Sequence, residues 1–133
     1  MNNLIFVLLS AFLPLVLFLI EIILPISFLV EELGKFFLLL YFFYKKQTLN
    51  FFLIILAGVI FALTEVIFYT EKLLLANQFL ILKRLLITGF FHSLTFVIFY
   101  LMGKKFGIFG LVTALFFNLL FHYFYNQIIV FQL

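Results

Sequence analysis

The chain has 133 residues, of which 68% are hydrophobic and only 10% are charged, and its mean hydropathy is +1.42. Soluble domains are about half apolar and about a quarter charged, so the composition excludes an ordinary soluble protein and predicts one integral-membrane domain over residues 1–133. The absence of cysteine excludes disulfides, thiolate zinc sites and cysteine nucleophiles. The net charge of +3 comes from lysines at segment ends, which indicates topology signals and headgroup contacts rather than a nucleic-acid surface.

Apolar segments follow one another along the chain, and each is about long enough to cross a bilayer core of ~30 Å as a helix. They run from about Leu4 to Leu24, Phe28 to Tyr44, Phe51 to Thr70, Leu85 to Met102 and Phe106 to Val130. Pro25 favours a hairpin over one long helix between the first two segments, and Ser27 suits an N-cap. The stretch 73–82 is either an interfacial connector or an early turn of the fourth helix. We therefore expect an all-α bundle of about five membrane-spanning helices.

Three charged residues, Glu31, Glu32 and Lys35, lie inside the second apolar segment. A charged side chain at the bilayer centre costs ~2.5–3.5 kcal/mol on insertion scales. Such residues usually face the interior of a bundle, find partners there and mark a function. Glu31 and Lys35 are four residues apart, so we expect these two to pair on one helix face.

Alternating helix directions predict that further polar residues lie at the same depth as these charges. Depth is counted from the membrane face that the Pro25 turn shares, at ~1.5 Å per helical residue. By that measure one site about 6–12 Å deep contains Glu31, Glu32, Glu65, His92, His122 and Asn126. The opposite half has almost no ionisable group inside the spans, which argues against a proton- or metal-translocating relay.

Histidines and glutamates that converge from separate helices can hold a divalent metal or place a carboxylate base beside a water molecule. Either arrangement favours hydrolysis, because a metal or a base activates water. His122 and Asn126 share a helix face and offer N–H donors to a developing oxyanion. Taken singly, each residue also has a structural interpretation, such as an interfacial carboxylate or an interhelical hydrogen bond.

Four motifs in order resemble the PrsW-like branch of the intramembrane protease superfamily that includes CAAX prenyl endopeptidases and bacteriocin-processing (Abi/CPBP) proteins. The family pattern is Glu-Glu-x-x-Lys, Phe-x-x-x-Glu, a histidine on the next helix and a final His-x-x-x-Asp or Asn. Here the motifs are Glu31-Glu32-Leu33-Gly34-Lys35, Phe61-Ala62-Leu63-Thr64-Glu65, His92 and His122-Tyr123-Phe124-Tyr125-Asn126. Arg84 matches an arginine that precedes the third motif.

This resemblance implies an intramembrane metallo- or glutamyl endopeptidase. A glutamate of the first motif, Glu31 or Glu32, would activate water, and His122 and Asn126 would stabilise the tetrahedral intermediate. Zinc is the metal that the resemblance suggests, although a metal-free glutamate mechanism is also compatible with it. The predicted metal ligands are Glu65, His92 and His122, and the predicted supporting residues are Lys35, Tyr69 and Arg84.

The expected partners are the lipid bilayer and a membrane protein or peptide substrate, without nucleic acid, in a multi-pass protein of a prokaryotic cell membrane. The chain combines an asparagine at Asn126, as in the CAAX and Abi branches, with Glu65, as in the PrsW branch. The substrate of either branch is therefore not carried over. The short length leaves open a minimal enzyme, a homo-oligomer or an inactive member. The alternative function is a non-catalytic membrane scaffold or partner-binding relative of the family.

Overall fold

The computed structural model describes residues 2–24, 26–73 and 78–130, and all regular structure in this part of the chain is helical. The helices are α1 (Asn2–Glu21), α2 (Ser27–Tyr44), α3 (Phe51–Leu73) and α4 (Gln78–Val130). The all-α prediction is confirmed. Pro25, which was predicted to form the first turn, lies outside the described residues.

Helix α4 consists of two arms that meet at Gly107, where φ is 63° and ψ is −140°. Glycine adopts a positive φ readily because it has no Cβ. The ring centroids of His92 in the first arm (78–106) and His122 in the second arm (108–130) are 5.7 Å apart. About thirty residues of straight helix would separate them by about 45 Å. The chain therefore reverses at Gly107, and the two arms correspond to the predicted fourth and fifth segments.

Two helix starts differ in how they are capped. Ser27 is the first residue of α2 and the N-cap position falls on Ile26, without a side-chain hydrogen bond, so the predicted Ser27 cap is wrong. Asn50 caps α3, because its Oδ1 accepts a 2.9 Å hydrogen bond from the backbone N–H of Phe52. Helix α4 already begins at Gln78, which agrees with the early-turn alternative for the end of the 73–82 stretch.

By length and composition, two stretches of the described chain, Asn3–Glu21 and Ile81–Gln127, are long and apolar enough to cross a membrane. This number is smaller than the five spans predicted from the sequence. The second stretch contains both arms of α4 and so counts two predicted spans as one. The apolar part of α3, Phe51–Ile67, is shorter than the other two, and α2 carries three charged residues within its length.

The bundle interior has an apolar half on the side of Gly107 and a polar half further from it. In the apolar half, Phe6 of α1 packs edge-on against Phe42 and Phe96, with ring centroids 5.1 and 6.1 Å away. Between α3 and the first arm of α4, a Cβ added to Gly58 would lie 2.3 Å from the Cα of Ser93. Only glycine permits this close approach, which sets the distance between the two helices that carry Glu65 and His92.

Candidate functional site

Six ionisable side chains meet in the polar half of the bundle, and we call them the Glu–His cluster. They come from α2, α3 and both arms of α4, and they are Glu31, Glu32, Lys35, Glu65, His92 and His122. Five of the six are buried, and Glu65 is the most accessible, with 16% of its side chain exposed. Five of the six residues that helix alternation predicts at one depth therefore lie together, namely Glu31, Glu32, Glu65, His92 and His122, and Lys35 replaces Asn126 as the sixth member.

Lys35 is the hub of the cluster, although it is fully buried. Its Nζ lies 2.6 Å from Glu32 Oε1, 2.8 Å from His92 Nδ1 and 3.2 Å from Thr95 Oγ1. A lysine ammonium has three donors and no acceptor, so all three of its N–H groups are used. The ring of Phe61 lies beneath the cation, 5.0 Å from Nζ.

The predicted pair between Glu31 and Lys35 is wrong, because Lys35 pairs with Glu32 instead. Residues three apart share a helix face as readily as residues four apart. Glu32 Oε1 also accepts a 2.9 Å hydrogen bond from His122 Nδ1. Two donors thus compensate the burial of this carboxylate, which has no exposed surface.

The hydrogen bonds of His92 determine its tautomer. Because Nδ1 faces the donor-only ammonium of Lys35, Nδ1 must accept, and the proton of the neutral ring must be on Nε2. Nε2 lies 2.6 Å from Glu65 Oε2 and donates to it. His92 therefore links α2, through Lys35, to α3, through Glu65.

His122 has the opposite arrangement. A carboxylate can only accept, so Nδ1 of His122 donates to Glu32. Its Nε2 faces Glu31 Oε2 at 3.8 Å. Phe91 packs edge-on against the imidazole, with centroids 5.0 Å apart, and holds the ring orientation.

Glu31 differs from the other acids of the cluster. Its Oε2 is buried, makes no hydrogen bond among the described residues, and lies 3.9 Å from His92 Nε2 and 3.8 Å from His122 Nε2. Glu32 Oε2 is also buried without a hydrogen bond, but the charge of Glu32 is matched by Lys35. Glu31 is therefore a buried carboxylate without a direct cationic partner, aimed between two imidazoles.

The remaining predicted residues are Asn126, Arg84 and Tyr69. Asn126 is half-buried, one turn beyond His122 on the second arm, and takes no part in the hydrogen bonds of the cluster. Arg84 is half-buried and lies about two turns before His92 on the first arm. Tyr69 belongs to α3, but its side chain lies outside the described residues.

A second set of polar residues supports the histidines, and of these only Thr95 is suggested by the sequence as a supporting residue. Thr95 accepts from Lys35, and the backbone carbonyl of Thr95 accepts a 3.1 Å hydrogen bond from Asn118 Nδ2. Thr88 and Tyr125 share a 2.7 Å hydrogen bond between the two arms. All four lie three or four residues from a cluster histidine, and this helical spacing was the signal that could have identified them.

The donor set fits a divalent metal only in part. Ligand atoms of Glu31, Glu65 and His92 all lie within 4.8 Å of one another. A metal-binding histidine usually donates its other ring N–H to an acceptor. His122 meets this condition through Glu32, whereas His92 turns Nδ1 toward an ammonium and does not fit. Zinc held by Glu65, His92 and His122 stays a prediction that the hydrogen bonds at His92 do not favour.

Two grooves on the described surface are lined by apolar side chains. One, of about 430 Å³, runs between α3 and the first arm of α4 past Leu63, Gly89 and Ser93. The other, of about 260 Å³, lies between α1 and α2. Neither groove is lined by a carboxylate or a histidine, and Glu65 is the most accessible of the six cluster side chains.

Comparison with known proteins finds no matching family model, no matching curated protein and no matching solved structure. The resemblance to intramembrane proteases therefore stands on the four motifs of the sequence. The function has to be argued from the geometry of the Glu–His cluster itself.

Proposed function

We propose that the protein is a multi-pass membrane peptidase whose Glu–His cluster hydrolyses a peptide bond of a membrane-associated protein or peptide. The observation that carries the proposal is the buried Oε2 of Glu31, which has no hydrogen bond within the described part of the chain and lies between the Nε2 atoms of His92 and His122. A carboxylate oxygen without a partner is a base that is available to accept a proton. Glu32 is bound by two donors, so Glu31 is the base and Glu32 holds Lys35 and His122 in place.

The distribution of polarity supports the membrane part of this proposal. Large apolar side chains are exposed on the outside of α1 and of both arms of α4, among them Leu4, Phe12, Phe90 and Phe116. The buried charges lie inside, which is the reverse of a soluble protein. In this arrangement α1, α2, α3 and each arm of α4 cross the bilayer once. Exposed lysines at 45–46 and 104–105 then lie at one face, among lipid headgroups.

The proposed reaction uses water as its only co-reactant. Glu31 removes a proton from water, and the water oxygen bonds to the carbonyl carbon of the scissile peptide. The Nε2–H of His92 shifts its hydrogen bond from Glu65 to the oxyanion that forms, and the side-chain amide of Asn126 is a second donor to this oxyanion. The C–N bond then breaks, Glu31 returns the proton to the leaving amine, and the products are a carboxylic acid and an amine.

Cleavage of unselected membrane proteins tests this assignment without a known substrate. Purified protein in detergent micelles is incubated with solubilised bacterial membrane proteins, and new amino termini are labelled and identified by mass spectrometry. We expect Glu31→Gln to lower their yield at least ~100-fold, the usual contribution of a general base. Glu32→Gln keeps an acceptor oxygen for Lys35 and His122, so its loss is smaller.

Glu21→Gln is the matched control, because it makes the same chemical change at the last residue of α1, a helix that contributes no side chain to the Glu–His cluster. This variant should cleave like the wild type. Equal yields from wild type and Glu31→Gln would overturn the role of Glu31, and no new termini from the wild type would overturn the peptidase proposal.

A non-catalytic scaffold is the second candidate, and one observation favours it. The cluster is nearly closed on itself, since all three donors of Lys35 bind protein atoms and five of the six side chains are buried. Such a network can fix the arrangement of helices without any reaction. A wild-type protein that folds stably but cleaves nothing in the amino-terminus assay would favour this function.

A further inference from the structure

We propose that Lys35 is a positioning residue that fixes His92 in the tautomer with its proton on Nε2. His92 is then a hydrogen-bond donor aimed at Glu65, rather than a metal ligand. The catalytic consequence of this arrangement rests on the proposed peptidase function, whereas the tautomer itself does not.

The surroundings of Lys35 allow its ammonium group only one orientation. Its side chain has no exposed surface, so water does not compete for its donors. The rings of Phe61 and Phe96 lie 5.0 and 5.9 Å from Nζ and offer no hydrogen-bond acceptor in their ring planes. The three acceptors that surround Nζ belong to Glu32, His92 and Thr95. One donor must therefore point at Nδ1 of His92.

The ring of His92 is held just as closely. Phe61 packs against it with centroids 4.8 Å apart, and Phe91 packs edge-on at 5.6 Å. In the opposite tautomer, an N–H at Nδ1 would face the ammonium and the lone pair of Nε2 would face Glu65 Oε2 at 2.6 Å. Both hydrogen bonds would be lost at once, in a buried site where unmade hydrogen bonds are costly.

Thr95 links Lys35 to the first arm of α4. Its Oγ1 lies 3.2 Å from Lys35 Nζ and donates a 3.0 Å hydrogen bond to the backbone carbonyl of His92. Its own carbonyl accepts from Asn118, which ties the second arm to the same point. The position of Lys35 relative to His92 is thus set by both arms of α4 as well as by α2.

The tautomer matters for the reaction because of what lies near Nε2. Glu31 Oε2 is 3.9 Å from this nitrogen and Glu65 Oε2 is 2.6 Å from it. The N–H already donates to Glu65, and a shift of this hydrogen bond would offer it to an oxyanion that forms beside Glu31, whereas a lone pair would repel the oxyanion. Lys35 thereby acts on the reaction through His92 without touching the substrate.

Nitrogen NMR of the two histidines tests the proposal in the intact protein. The protein is labelled with ¹⁵N-histidine in detergent micelles, and the two-bond N–H correlation pattern distinguishes the tautomers. We expect Nε2–H at His92 and Nδ1–H at His122, so the chain's two histidines serve as references for each other. A wild-type His92 with its proton on Nδ1 would overturn the proposal, whatever the variants show.

The informative variant is Glu32→Gln/Lys35→Met, which removes both charges of the buried pair together and so leaves neither unpaired. The single Glu32→Gln change is the control, because it keeps Lys35 beside His92. We expect the control to retain Nε2–H at His92 and the double variant to lose the single-tautomer pattern. An unchanged Nε2–H pattern in the double variant would show that Lys35 does not select the tautomer.

The amino-terminus assay separates this proposal from the proposed function. If both are right, the double variant yields at least ~10-fold fewer new amino termini than Glu32→Gln, because the loss of Lys35 acts on the reaction through His92. A wild type without cleavage but with the expected tautomers would overturn the peptidase proposal and leave the role of Lys35 in place. Cleavage by the wild type together with an unchanged tautomer in the double variant would overturn the role of Lys35 and leave the peptidase proposal in place.

Discussion

The same helices build both halves of the bundle interior but hold them together in different ways. In the apolar half, side chains such as Phe6, Phe42 and Phe96 meet through ring edges and van der Waals contact. In the polar half, every cluster side chain except Glu31 is matched to a particular donor or acceptor. On α2 the change takes one helical turn, since Lys35 belongs to the polar half and Leu39 to the apolar half, and both are fully buried.

This difference predicts how each half responds to mutation. If the helices lie in a bilayer, the surrounding lipid is as apolar as Leu39. A buried apolar side chain then stabilises the bundle mainly through van der Waals contact, and a side chain of similar volume can replace it. A buried ion pair is different, because removing one partner leaves the other charge without compensation. Substitutions in the polar half should therefore be tolerated only when they keep the charges and hydrogen bonds. Substitutions in the apolar half should be tolerated when they keep the side-chain volume.

The largest effect expected is that of Lys35→Met compared with Leu39→Met. Lys35→Met leaves Glu32 buried without its cation and should cost about 3–5 kcal/mol of unfolding free energy. Leu39→Met nearly conserves volume and should cost less than about 1.5 kcal/mol. Denaturant titration in micelles measures both. Similar losses for the two variants would contradict the proposed difference between the halves.

The second-largest change in unfolding free energy is expected at Gly107. The chain reverses there, and the two arms of α4 that it joins contribute residues to both halves of the interior. Gly107→Ala places a Cβ at φ 63° and should cost about 1–3 kcal/mol through backbone strain. Gly89→Ala is the control, because a Cβ at either glycine meets nothing within 4 Å and only Gly107 has a positive φ. That control should gain about 0.5–1 kcal/mol as a helical Gly→Ala change. A neutral Gly107→Ala would show that the reversal does not depend on glycine.

Much of the polar half could be predicted because helix direction alternates along the chain. Counting residues from the ends of each segment put Glu65, His92 and His122 at one depth, and their contacts agree with that count. The fourth and fifth segments were likewise predicted, and the break at Gly107 lies one residue inside the predicted start of the fifth. Depth and direction follow from local helix geometry, so the sequence contains this information.

The choice of partners could not be predicted in the same way. Lys35 reaches residues three and four positions earlier equally well, and it pairs with Glu32 because His92 and Thr95 of α4 lie on that side. Asn118 and Asn126 are each four residues from His122, yet the hydrogen bond to Thr95 comes from Asn118. Rotation of each helix about its axis decides both cases. Packing of the whole bundle sets that rotation, and no single motif specifies it.

The smallest effect expected, and the one that best separates an enzyme from a scaffold, is that of Glu31→Gln on stability. Glu31 is the exception in the polar half, because its buried Oε2 has no hydrogen-bond partner among the described residues and, unlike Glu32, it forms no ion pair with Lys35. Replacing this carboxylate by a neutral amide removes an uncompensated charge and should raise the unfolding free energy by about 1 kcal/mol, while cleavage is lost. Glu65→Gln is the control, since its amide oxygen still accepts from His92 and its stability should change little. A catalytic base that is kept without a partner lowers the stability of the wild type. If the Glu31→Gln protein is less stable than the wild type, Glu31 instead contributes to the packing of a scaffold.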